Sequence, residues 1–233
     1  MSSRPDALDA ALWATSHVER CGRDLTAVRV TERALVAESR TADLVVLSAR
    51  TGAERELALA VAASARCPVV AVPPGGTVRD DLPAVVGVSG DHTSRTTLLI
   101  GLALATARGT GVRAVCCTRE PPATEPLVAL AVVDRCARDH PEAPVDVRVA
   151  RSHPVTGLIR HARQASLLVV GCTPTTAHST SRHLLDRCPS PIALVGPLVA
   201  RRRCAAAEGG PVDRRAPRDG DAHSAGSGRP LRS

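Results

Sequence analysis

An α/β architecture is expected from the sequence: an open, Rossmann-like parallel sheet of five strands with helices on both faces, plus a partial second copy of the same unit. Three observations carry this expectation. Short apolar, β-branched runs alternate with stretches of helical spacing, as in Ala84–Val88, Leu98–Ala105 and Val112–Cys117. Gly, Pro and small polar residues bound those runs. The hydrophobic pattern also repeats, with Ala42–Ser48 matching Ala165–Gly171 and Pro68–Val72 matching Pro191–Val195, both at an offset of 123.

The elements follow in chain order. Leu8–Arg20 has helical spacing and aligns with Leu127–Asp139 at an offset of 119. Ala27–Val30 then matches Asp146–Val149 as a strand, and Arg33–Val36 matches Thr156–Ile159 as a helix. The later copy holds four extra residues in the turn around Ser152–Pro154. Strand 42–48, a helix and strand 68–72 complete a partial unit over residues 1–73, which lacks the first β-α-β. Two explanations fit this gap: a start upstream of Met1, or a decayed copy that survives by packing on the complete one. Residues 74–82 form a linker, introduced by Pro73-Pro74-Gly75-Gly76.

The complete unit spans 83–197. It reads β (84–88), α (94–108), β (112–117), α (127–139), β (145–150), α (154–163), β (166–171), α (179–187), β (191–195). Ser94 is placed to cap the first of these helices, and Gly109 and Gly111 to end it. Residues 198–233 show no periodicity and read as a disordered, Arg-rich tail.

Composition excludes several functions. The longest apolar runs reach about ten residues, against about 20 for a bilayer span, so no membrane partner is expected. With one Trp and no Phe or Tyr, stacking of bases on aromatic side chains is excluded. All 30 basic residues are Arg, the imprint of a GC-rich genome rather than of a ligand. The tail from Ala200 supplies +4 of the +7 net charge, so no specific nucleic-acid partner is expected. The eight Cys contain no CxxC and read as small buried hydrophobes, with Cys204 in the tail as the exposed thiol. A cytoplasmic protein is expected.

Ligands in an open parallel sheet bind at the carboxyl ends of the strands where strand order reverses. Two loops qualify, Ser89–Thr93 and Gly171–Thr180. The second is hydroxyl-rich and leads into a helix N-terminus, which suits an anion and equally suits simple capping by Ser179 and Thr180. His92 and His178 would approach each other there and read as exposed loop residues, and Asp91 as a turn residue. No nucleophile–base pair or metal-ligand spacing is present, so neither an enzyme nor a metal site is expected.

The order of these motifs resembles the universal stress protein family in its tandem form, from residue 8 to about 197. The residues that carry the resemblance are Val86-Gly87-Val88-Ser89-Gly90, Leu167–Gly171, Ser179-Thr180-Ser181-Arg182 and Pro189–Val195, with Cys67–Pro73 closing the partial copy. The resemblance implies an adenine nucleotide alpha hydrolase-like sheet with strand order 3-2-1-4-5, and ATP binding in one branch. It places a residual nucleotide site at Gly87, Ser89, Gly171, Ser179 and Thr180. It also implies that the fifth strands meet, here Val69–Val72 and Ile192–Val195, so self-association through them, or a protein partner, is expected.

The nucleotide-binding branch has an Asp at the end of its first strand and a Gly-x2-Gly-x9-Gly-Ser/Thr loop after its fourth. Here Ser89 replaces that Asp, Pro174 and His178 stand at the second and third Gly, and the loop is about six residues short. Pro174 has no N–H to offer, and His178 restricts the backbone conformations that Gly allows. The expectation is a non-catalytic stress-response module with a degenerate nucleotide loop and no cofactor. The alternatives are an ATP-binding member using the second domain, and a nucleotide-utilising enzyme of a related α/β fold.

Overall fold

The computed structural model describes residues 8–76, 79, 81–91, 93–118, 124–172 and 180–200. The partial copy contributes α1 (Leu8–Cys21), α2 (Glu32–Glu38), β1 (Val45–Ser48), α3 (Gly52–Ser64) and β2 (Val69–Val72). The complete copy contributes β3 (Ala84–Val88), α4 (Ser94–Thr106), β4 (Val112–Thr118), α5 (Thr124–Asp139), β5 (Val145–Arg151), α6 (Pro154–Ala162), β6 (Leu167–Gly171), α7 (Thr180–Arg187) and β7 (Ile192–Val195). These bounds match the sequence reading of the complete copy within a few residues.

All strands join one seven-stranded sheet of order β1-β2-β7-β6-β3-β4-β5. The expected five-stranded parallel unit is its larger part, β7-β6-β3-β4-β5. The partial copy adds two strands to it. β2 runs antiparallel to β7, with Val69 opposite Leu194, Val70 opposite Ala193 and Ala71 opposite Ile192. Val70 and Ala193 are equivalent positions of the two copies, so this pairing is centred on a local two-fold axis. The fifth strands therefore meet within one chain. Each is flanked on both sides, β2 by β1 and β7, and β7 by β2 and β6.

The strands alternate their side chains between two cores, and every residue of β2 and β7 is buried. One core holds Val69, Ala71, Ile192 and Leu194 beneath α2, α3, α6 and α7. The other holds Val70, Val72, Ala193 and Val195 beneath α1, α4 and α5. A one-residue slip would exchange these sets, so the antiparallel register is tightly specified. Gly196 follows β7 directly against α3; a Cβ there would lie 1.8 Å from the Ala62 carbonyl oxygen.

Two sequence expectations change. Residues 27–30 form no strand. Their counterpart in β5 is held by β4, and among the described residues no strand equivalent to β4 precedes β1. Residues 198–200, assigned to the tail, belong to a helical turn at 197–200, and Val199 and Ala200 are buried. Residues 201–233 and Cys204 lie outside the described residues. Of the other cysteines, Cys67, Cys116, Cys136, Cys172 and Cys188 are buried, while Cys21 and Cys117 are half-buried.

Helix α1 shows how the incomplete half is sealed. It aligns in sequence with α5, which covers β4 and β5. Yet α1 lies on β1 and β2, the position that α4 holds over the equivalent strands of the complete copy. Trp13, 1% exposed, fills the space beside Val70 and Val72. Its ring stacks on His17 at 5.3 Å and receives the buried Arg108 guanidinium 4.5 Å from the ring centroid. Burial, and secondarily Arg108, push the His17 pKa from 6.5 down to about 4.

Two measurements follow. Gly196→Ala should destabilise the protein by about 1–3 kcal/mol through overpacking against backbone, read as a lower thermal midpoint. His17 is neutral when folded and takes up a proton on unfolding between its folded value of about 4 and the ordinary 6.5. The unfolded state then binds more protons, so stability should fall as pH drops through that window. Denaturant titrations at several pH values should show a shallower fall in His17→Gln.

Candidate functional site

Strand order reverses between β3 and β6. A cleft of about 400 Å³ opens at their carboxyl ends. The first residues of α4, α6 and α7 (Ser94, Pro154 and Thr180) line it. The structure brings Gly87, Ser89, Gly171 and Thr180 to this one cleft, as expected from sequence. Ser179, Pro174, His178 and His92 lie outside the described residues. The two glycines are tight: a Cβ on Gly171 would stand 3.0 Å from Thr93 Oγ1, and one on Gly87 3.2 Å from Leu158 Cδ1.

The residue that organises the cleft is Asp91. Its Oδ1 accepts the N–H groups of Thr93 at 2.9 Å and Ser94 at 3.0 Å, and the Thr93 hydroxyl at 2.7 Å. Its Oδ2 accepts the Ser89 hydroxyl at 2.9 Å. Asp91 thus caps the N-terminus of α4 and corrects the assignment of that role to Ser94. Ser94 instead accepts the Ser89 N–H at 3.0 Å and directs its own proton to the Ser89 carbonyl. Burial pulls the Asp91 carboxyl up, but the hydrogen bonds from Thr93, Ser89 and Ser94 outweigh it and hold the group below the ordinary carboxylate value.

Asp91 is the one charged side chain among the described residues that line the cleft. The hydroxyls of Thr93, Thr97 and Ser181 join it, and Cys117 stands on the β4 side. Burial pushes the Cys117 thiol up, so it is a protonated thiol near neutral pH. The sequence reading placed Thr93 at the end of a candidate loop but did not single out Thr97, Ser181 or Cys117 for this site. Thr93 and Thr97 carried a signal, being hydroxyls one helical turn apart at the start of α4. Cys117 lay at the end of an apolar run and carried none.

The partial copy offers an internal comparison. The strand end equivalent to Gly171 is Ser48, and the loop that follows is closed by Glu54. Thr51 and Glu54 form a capping box, with the Glu54 N–H donating to Thr51 Oγ1 at 3.2 Å. Glu54 Oε2 accepts the N–H groups of Arg50 at 2.8 Å and Thr51 at 2.9 Å, and the Ser48 hydroxyl at 3.4 Å. Burial acts to raise the Glu54 pKa, but the bonds from Thr51, Arg50 and Ser48 outweigh it and hold the carboxyl below its ordinary value. In both copies a carboxylate of the chain occupies a helix N-terminus that could otherwise face an anion.

No family model matches the sequence, and no curated protein is similar to it by sequence. Solved structures are similar in fold. A universal stress protein from Archaeoglobus fulgidus matches at a TM-score of 0.56 and 13% identity, covering 82% of this chain and 76% of that one. A protein from Pseudomonas aeruginosa, assigned provisionally to the universal stress proteins, matches at 0.50 and 15% identity, with coverage of 88% and 84%. The cytoplasmic domain of a prokaryotic cation chloride cotransporter matches at 0.52 and 11% identity, covering 86% and 85%. The chain has the fold of the universal stress proteins.

Asp91→Ala should cost about 0.5–2 kcal/mol at neutral pH through loss of the α4 cap. Because the folded carboxyl is held low, its contribution is present above the ordinary carboxylate pKa and is lost as pH falls through the folded value. Chemical denaturation should therefore show the gap between parent and variant closing in acid.

Proposed function

We propose that the chain is a tandem universal stress protein with one incomplete copy, acting as a non-catalytic stress-response module that binds ATP weakly or not at all. The observation that supports this most is the filling of helix N-termini by the chain's own carboxylates. Asp91 takes the Thr93 and Ser94 N–H groups at α4. Glu54 takes those of Arg50 and Thr51 at the N-terminus of α3. A phosphate approaching either place meets a negative charge already satisfied by the donors it would need. Among the described residues of the cleft there is no Arg or His to offset that repulsion. The shortened loop from Gly171, with Pro174 in place of a Gly, points the same way.

The non-catalytic part of the proposal rests on the same side chains. Asp91 is engaged by donors from three residues and is poorly placed to take a proton, and the Cys117 thiol is held in its weakly nucleophilic form. The reading as an ATP-binding member is favoured by one observation, the cleft volume of about 400 Å³, which falls in the range of small-ligand sites.

Thermal unfolding with and without Mg-ATP separates the two readings. A ligand present at about 100 times its Kd stabilises by about 2.7 kcal/mol, which for a chain of this size raises Tm by about 5–10 °C. The expected result is a shift below about 1 °C at millimolar ATP, with no nucleotide hydrolysed. A shift of several degrees, abolished by Gly171→Val, would establish the ATP-binding reading instead.

A further inference from the structure

β5 forms one edge of the sheet. It pairs with β4 along its whole length, and among the described residues no strand lies on its other side. The Val112 N–H donates to the Pro144 carbonyl at 2.8 Å, so even-numbered residues of β5 direct their backbone groups to β4. The N–H and C=O groups of Val145, Val147 and Val149 therefore point outward. Val147 and Val149 are 39% and 49% exposed despite being valines. By strand alternation they share a face with Val145, which packs on the core beneath α5. Helix α5 itself exposes Leu127 and Val128. The other face carries Asp146 and Arg148, with Arg148 Nε 3.1 Å and Arg113 Nε 3.2 Å from Asp146 Oδ2.

We propose that β5 is the docking edge for a second copy of this chain, the two β5 strands pairing antiparallel about a two-fold axis at Val147. The sequence Val145-Asp146-Val147-Arg148-Val149 is self-complementary in that arrangement. With Val147 opposite Val147, Val145 faces Val149 and Asp146 faces Arg148, each pair occurring twice by symmetry. The outward backbone groups of Val145, Val147 and Val149 supply the ladder. Asp146 and Arg148 fall at non-hydrogen-bonded positions, where opposing Cα atoms stand about 4.5 Å apart and side chains approach closely. The neighbouring registers fail on charge: one sets Arg148 against Arg148, the other Asp146 against Asp146. One face of the joint becomes a strip of valines and the other two ion pairs, and two seven-stranded sheets become one. The opposite edge, β1, has four residues and no such charge pattern.

Sedimentation velocity over a dilution series tests this with the full chain. The expected species is a dimer of twice the 24.2 kDa chain mass that dissociates on dilution. Arg148→Asp, which sets two carboxylates against each other, should weaken it about tenfold or more, and Asp146→Arg likewise. The double exchange Asp146→Arg/Arg148→Asp restores opposite charges and should restore the dimer. Val147→Pro removes an outward N–H that β4 does not use, and should abolish dimerisation while circular dichroism keeps the parent spectrum. A parent that is monomeric at about 100 µM overturns the proposal. So does a dimer indifferent to Arg148→Asp and Val147→Pro, or a double exchange that stays monomeric with its fold intact.

Discussion

The antiparallel contact between Val69–Ala71 and Ile192–Leu194 is short, and nearly everything about the partial copy depends on it. Two parallel strands with three helices cannot bury their own faces; such a fragment falls below the three strands or more that a sheet needs to stand alone. By pairing with β7 it becomes the continuation of a five-stranded sheet and shares both of that sheet's cores. The contact also uses the one edge of the complete copy that is most apolar. β7 and β2 are buried at every position, so leaving either as an edge would expose unpaired backbone beside bare aliphatic side chains. Flanking ion pairs, Arg55 to Asp186 at 3.0 Å and Arg182 to Glu56, add specificity between α3 and α7 at modest energetic gain.

Over β1 and β2, α1 takes the place that α4 holds over β6 and β7. This relocation explains why the chain's single tryptophan is where it is. A helix placed over strands meant for a different helix must fill an irregular space, and an indole does so with more buried area than any aliphatic side chain. Arg108, at the end of the complete copy's α4, then completes the indole's surroundings through its face. The same packing strips His17 of solvent and, with Arg108 nearby, holds its pKa down at about 4.

A second theme is electrostatic. Helix N-termini in an α/β sheet collect at the ligand end, where their unpaired N–H groups attract anions. Both copies answer that demand internally, with Asp91 and Glu54. Asp91 is thereby the one charged side chain among the described residues of the cleft.

Local pattern was sufficient for much of this. The β-α alternation from Ala84 to Val195 and the offset of 123 between hydrophobic runs were legible, because strand and helix periodicity depend on nearby residues; the meeting of the fifth strands was implied by the family resemblance alone, and the pairing of β2 with β7 shows it. Gly87, Ser89, Gly171 and Thr180 could be placed together because the family resemblance supplied the strand order that makes their loops converge. Three features were not legible. Whether 27–30 forms a strand depends on a neighbour elsewhere in the chain, and none lies beside it among the described residues. That α1 abandons the position of its sequence counterpart depends on which surface is left uncovered. That Asp91 rather than Ser94 caps α4 depends on the turn bringing a carboxylate back onto two N–H groups. In each case the deciding energy comes from partners distant in sequence or from a backbone direction that hydrophobic periodicity does not encode.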